Sequence, residues 1–146
     1  MTPDSSPESS SQTRHEGGGR RPDVELRMPA DSAYVSVLRT TTAGLAARLD
    51  FTIDDIEDLR IAVGEASAMV LPEADAGSDV VCRFHMSPSE LTVTVTVAVS
   101  EPPSPDYDSF AWQVLTTLAT EASVAAGDGE FTVRMTMVSD LAGAGR

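Results

Sequence analysis

Glu65 stands among small residues (Gly64, Ala66, Ser67 and Ala68) in the stretch Asp55–Val70, which has the spacing of an amphipathic helix. Ile56, Leu59, Val63, Ala66 and Val70 recur at i, i+3, i+7, i+10 and i+14 and form one apolar stripe. Asp58, Ala62, Glu65 and Met69 share an adjacent stripe, which makes Glu65 and Met69 neighbours on the helix surface. On spacing alone such a glutamate is a solvated side chain. A second chemical candidate is Arg39, which falls off the apolar stripe of the preceding helical stretch. That position predicts an exposed guanidinium, which on spacing alone is as readily a solvated arginine as one that grips a carboxylate with two parallel hydrogen bonds.

Several other chemistries are excluded. All ten basic residues are arginine, so lysine-dependent phosphate loops and Schiff bases are ruled out. The two histidines, His15 and His85, are far apart and isolated, which leaves no histidine metal site or proton relay. Serines are frequent but none sits in a Gly-x-Ser-x-Gly elbow. The single cysteine, Cys82, cannot form an internal disulfide, and its apolar alternation predicts a buried, inert thiol suited to a reducing cytoplasm. The formal charge of −13 disfavours a nucleic-acid partner and favours association with a basic protein. No apolar run reaches membrane-spanning length and no signal-peptide pattern opens the chain.

The 146 residues suffice for one domain. Residues 1–23, rich in Ser, Pro, Glu and Gly, are expected to form a disordered tail, residues 24–138 the folded domain, and residues 139–146 a flexible tail. Val24–Pro29 alternates as a strand. A helix is expected to begin near Asp31-Ser32, with Tyr34, Leu38, Thr42, Leu45 and Leu49 along one side. Thr52 is the predicted cap of the second helix and Pro72 its end. Val80–Met86 and Leu91–Val99 alternate as an antiparallel hairpin around Ser87-Pro88-Ser89. After the proline-rich loop Glu101–Pro105 comes a third helix, Phe110–Thr120, with Phe110, Val114, Leu115 and Leu118 placed inward. A hairpin of Ala122–Ala125 and Phe131–Val138 closes the chain around Gly127-Asp128-Gly129. The order β-α-α-β-β-α-β-β predicts an α/β (α+β) two-layer sandwich: a mixed, mostly antiparallel sheet with its helices on one face.

The run from Glu57 to Ser67, ED-L-R-I-A-V-G-E-A-S, resembles the segment ED-x-x-I-A-V-S-E-A-x-x-N of the RsbW/SpoIIAB family of anti-sigma factors. Those proteins are small serine kinases on the histidine-kinase-like ATPase fold, and their element order is the one just derived, from about Val24 to Val138. In that family the glutamate is the catalytic base and the asparagine four residues on holds the magnesium of ATP. The resemblance therefore makes Glu65 a base by position. Met69, however, replaces the asparagine, and a thioether is a poor ligand for a hard cation. The family's two glycine-bearing nucleotide segments correspond to Val99-Ser100-Glu101-Pro102-Pro103 and Ser109-Phe110-Ala111-Trp112-Gln113. No glycine lies between Gly77 and Gly127, and prolines lack the N–H groups that cradle phosphate. Phe110 and Trp112 are expected to fill core or pocket, and Glu101–Ser109 is shorter than the family's ATP lid. The helix beginning at Ser109 looks like that of actinobacterial anti-sigma-F proteins, a divergent branch.

The resemblance thus implies an anti-sigma factor with a vestigial Glu65 and no cofactor. It would sequester an alternative stress or developmental sigma factor until a STAS-type anti-anti-sigma protein releases it. Aligned through Leu49-Asp50, Arg39 falls where the family places an arginine that contacts both partners, and Tyr34 and Val35 lie one turn earlier. A cytoplasmic homodimer is implied as well. Two alternatives compete with this reading. An active serine/threonine kinase, using ATP, magnesium and Glu65, would phosphorylate its antagonist; a sensor or scaffold would have kept only the fold.

Overall fold

The computed structural model describes residues 20–139. The tail readings for residues 1–19, which include His15, and for residues 140–146 lie outside them. The first strand, β1 (Val24–Pro29), pairs with β2 (Asp79–Ser87). Anchoring starts four residues before β1. The Asp23 carboxylate accepts a hydrogen bond from the Met86 N–H at 2.7 Å, and Arg20 Nη2 donates to the Met86 carbonyl at 3.3 Å. These bonds tie Arg20 and Asp23 to a residue more than sixty positions away, which local composition does not reveal. The Met86 N–H holds the Asp23 carboxyl below its ordinary pKa, helped by Arg20.

Asp31 opens the next element by accepting from the Ala33 N–H at 2.8 Å, and a single 3-10 turn, Ser32–Tyr34, leads into α1 (Val35–Arg48). Leu38, Thr42 and Ala46 are its buried line, and the Thr42 hydroxyl is satisfied by donating to the Leu38 carbonyl at 2.8 Å. Asp50, at φ 62°, turns the chain. Thr52 then caps α2 (Ile53–Val70), its hydroxyl oxygen accepting from the Asp55 N–H at 3.0 Å. Asp54 and Asp55 in the first turn suit the positive end of the helix dipole. The α-helix stops at Val70, and Pro72 sits in a 3-10 turn, Leu71–Glu73, as its missing N–H requires.

The remaining elements are β3 (Glu90–Ala98), α3 (Phe110–Leu118), β4 (Glu121–Gly127) and β5 (Glu130–Val138). The sheet order is β1-β2-β3-β5-β4, and every pairing is antiparallel, so the sheet is not mixed among the described residues. The β4–β5 hairpin closes on Asp128 and Gly129, both at positive φ (56° and 78°), the backbone that an Asp-Gly pair adopts readily. Val80, Cys82, Phe84, Leu91, Val93, Val95, Val97, Phe131, Val133 and Met135 face the helices and are buried. Leu59, Ala62, Val63, Ala66 and Val70 of α2 meet them, with α1 on one side of α2 and α3 on the other. The opposite face of the sheet carries no helix. There Thr92 pairs with Thr136 and Thr96 with Thr132, hydroxyl to hydroxyl at 2.8 Å, and Arg83 pairs with Glu25 at 3.1 Å.

One sequence expectation fails on α3. Phe110 is not inward: it is 75% exposed, while Leu115 is the buried residue of the helix and Trp112 is half-buried. As the first residue of a nine-residue helix, Phe110 begins before the helix settles on the core, and helical periodicity does not register where contact starts.

Candidate functional site

Helix α2 places Glu65 half-buried on its flank, with the buried residues Gly64 and Ala66 on either side. Met69, one turn on, is also half-buried and packs against the hydrophobic core. A methionine used for packing offers no oxygen to a hard cation. Ser67 is committed as well: its hydroxyl donates to the Val63 carbonyl at 2.9 Å. Among the described residues no cluster of three or more His, Cys, Asp or Glu side chains has a metal-binding arrangement.

The segment after β3 is held by Asp75, whose carboxylate accepts from both the N–H and the hydroxyl of Ser100, at 2.8 and 3.0 Å. Pro102, Pro103 and Pro105 follow, none with an N–H to offer. At the start of α3 the Ser109 hydroxyl oxygen accepts from the Trp112 N–H at 3.1 Å, so one donor of the helix end is already occupied. Trp112 meets Tyr107 edge to face, ring centroids 5.4 Å apart and planes at 72°. The reading of Trp112 as a packing residue fits this geometry. The same reading of Phe110 does not.

Arg39 is not the freely exposed cation that its position off the stripe predicts. It is half-buried, and the Nε–Nη2 edge of its guanidinium lies against α2 at Gly64. A β-carbon at Gly64 would sit 2.6 Å from Nη2, 3.0 Å from Nε and 3.2 Å from Cζ. Among the described residues, no carboxylate pairs with Arg39, whereas Arg20, Arg27, Arg60 and Arg83 each have one. Tyr34, one turn before, is 40% exposed, and Val35 is half-buried, lining with Tyr34, Leu38 and Ser67 a hollow of only about 10 Å³. The structure therefore brings Arg39 from α1 onto Gly64 of α2, next in sequence to Glu65, and leaves Phe110 exposed at the start of α3. Sequence reasoning missed Gly64. Its signal was present: glycine inside a helix costs about 1 kcal/mol relative to alanine and calls for a local reason.

No family model matches the chain. The serine-protein kinase RsbW of Halalkalibacterium halodurans is 40% identical over 88 residues, which cover 60% of this chain and 52% of that protein. The Bacillus subtilis serine-protein kinase RsbW is 38% identical over 88 residues, covering 58% and 53%. Over these stretches the chain is similar to the RsbW proteins. It spans about half the length of the RsbW relatives it matches. The crystal structure of the RsbU and RsbW domains of Rv1364c from Mycobacterium tuberculosis superposes with a TM-score of 0.58 at 16% identity, covering 82% of this chain and 34% of that one. At that identity the likeness bears on fold, and the fold agrees with the histidine-kinase-like ATPase architecture implied by the resemblance to RsbW.

Proposed function

We propose that this RsbW relative is a cytoplasmic anti-sigma factor that works by binding rather than by phosphotransfer. It sequesters an alternative stress or developmental sigma factor, and a STAS-type anti-anti-sigma protein competes for the same surface. The observation that carries the reading is Arg39: a guanidinium laid on the helical surface with no carboxylate partner among the described residues, in a chain of net charge −13. A cation so placed is matched by a carboxylate on another protein, while the acidic whole steers a basic partner toward it. Tyr34, exposed one turn away, adds apolar contact, with Val35 beside it. A homodimer is part of the same reading.

The donor set supports a nucleotide-independent mode. Met69 packs into the core, Pro102 and Pro103 lack N–H groups, and Ser109 already occupies the Trp112 N–H, so these residues do not fit a magnesium nucleotide. Glu65 is then a vestigial base. Release follows from competition by mass action, or from phosphorylation of the antagonist by a different kinase. The test is a pull-down of the purified chain against the alternative sigma factors of its own genome. One stoichiometric complex, weakened at least tenfold by Arg39→Glu, is the predicted result. Retention of no sigma factor would leave a scaffold or sensor in its place. Glu65 does support a second reading, the active serine kinase: phosphate transfer to a serine of the antagonist, abolished by Glu65→Ala, would establish it.

A further inference from the structure

We propose that Gly64 is a positioning residue for Arg39: the absent side chain at Gly64 is the seat that holds the guanidinium toward a partner's carboxylate. The inference rests on the partner-binding reading of Arg39 and adds to it the element that presents the arginine. Gly64 needs no special backbone, since positive φ among the glycines of the described chain is confined to Gly77, Gly127 and Gly129. It lies buried in the middle of α2, where alanine would be the better helix former. What alanine cannot do there is leave room for Arg39, because its β-carbon would come within 2.6 Å of Nη2 and 3.0 Å of Nε. The side chain that must give way is the flexible end of an arginine, so alanine displaces the guanidinium and leaves the helix pair standing.

Holding the arginine matters for affinity. A free arginine loses much rotamer freedom when it engages a carboxylate, and one already laid against a helix has lost part of it before the partner arrives. Gly44 supplies an internal control. It too lies within a helix, α1, but a β-carbon there meets nothing within 4 Å. Gly44→Ala and Gly64→Ala thus change helix propensity alike and differ in what they do to Arg39.

The experiment uses the full chain and the sigma factor retained in the pull-down. Affinity is measured for native protein, G64A, G44A, R39A and the G64A/R39A double variant. In parallel, the arginine Nε–H resonances of the free protein are recorded by NMR, with R39K identifying the Arg39 signal. The proposal predicts that G64A shifts the Arg39 signal, keeps the thermal midpoint within a few degrees, and weakens binding about tenfold. G44A should do none of the binding damage, and G64A should add nothing once Arg39 is already alanine. An unmoved Arg39 signal, full affinity in G64A, or equal losses from G64A with and without Arg39 would each overturn the proposal while leaving Arg39 as a contact. If R39A itself binds normally, the partner-binding reading fails and Gly64 loses its role in binding with it; the NMR arm then shows separately whether the seat exists.

Discussion

Cys82 has a chemistry fixed by its surroundings. It is fully buried between Val95 and Leu26 of the neighbouring strands, and burial pushes its thiol up to about 12 from an ordinary 9.0. The folded state thus keeps the thiol protonated where the unfolded chain would ionise. Its contribution is intact below about pH 9 and is lost as pH rises from there toward 12, at about 1.4 kcal/mol per pH unit. Denaturant titrations between pH 8 and pH 10.5 should show that decline in the native chain and a smaller one in Cys82→Ala. Thiol reagents should label Cys82 only on unfolding. Burial of this thiol was legible from strand alternation. The posture of Arg39 was not, because helical periodicity says which residues leave the apolar stripe but not what a long side chain folds back upon. A glycine in a helical run was the available signal, and it pointed to α2, not to the arginine across from it.

Among the elements, α2 carries the load of the core and α3 frames its flank. Leu59 of α2 and Leu115 of α3 are fully buried, so truncating either to alanine should cost about 2–5 kcal/mol in denaturant titration. Phe110→Ala, by contrast, should stay within about 0.5 kcal/mol, because its ring is exposed. A loss above 2 kcal/mol there would mean that the ring closes onto the domain in solution. Elements were read well wherever local chemistry was strong. Thr52 caps, Pro72 stops, Asp-Gly turns, and the β2–β3 alternation keeps its register from Val80↔Val97 to Met86↔Leu91. The exposure of Phe110 in the first turn of α3 and the bonds of Arg20 and Asp23 to Met86 were not legible, because a local pattern does not encode which distant chain lies within reach.

At the scale of the molecule, two faces differ in kind. The helix-free face of the sheet is lined by threonines satisfied pairwise and by arginines paired or set among them. Tyr34, Val37, Ile53, Ile61, Tyr107 and Phe110, the large apolar side chains left exposed among the described residues, belong to the helices and their connections. No helix of the described chain is long and apolar enough to cross a membrane. The helical layer and the antiparallel hairpins followed from the pattern of elements, whereas the strand order β1-β2-β3-β5-β4 and the antiparallel direction of all four pairings among the described residues came only from the structure. The central claim, sequestration of a sigma factor without nucleotide, is met most directly by transcription in vitro from the cognate promoter. Stoichiometric addition of the chain should repress to the same extent with and without Mg-ATP, and Arg39→Glu should relieve repression in both. Repression that requires Mg-ATP, or that is reversed by phosphate transfer abolished in Glu65→Ala, would contradict it.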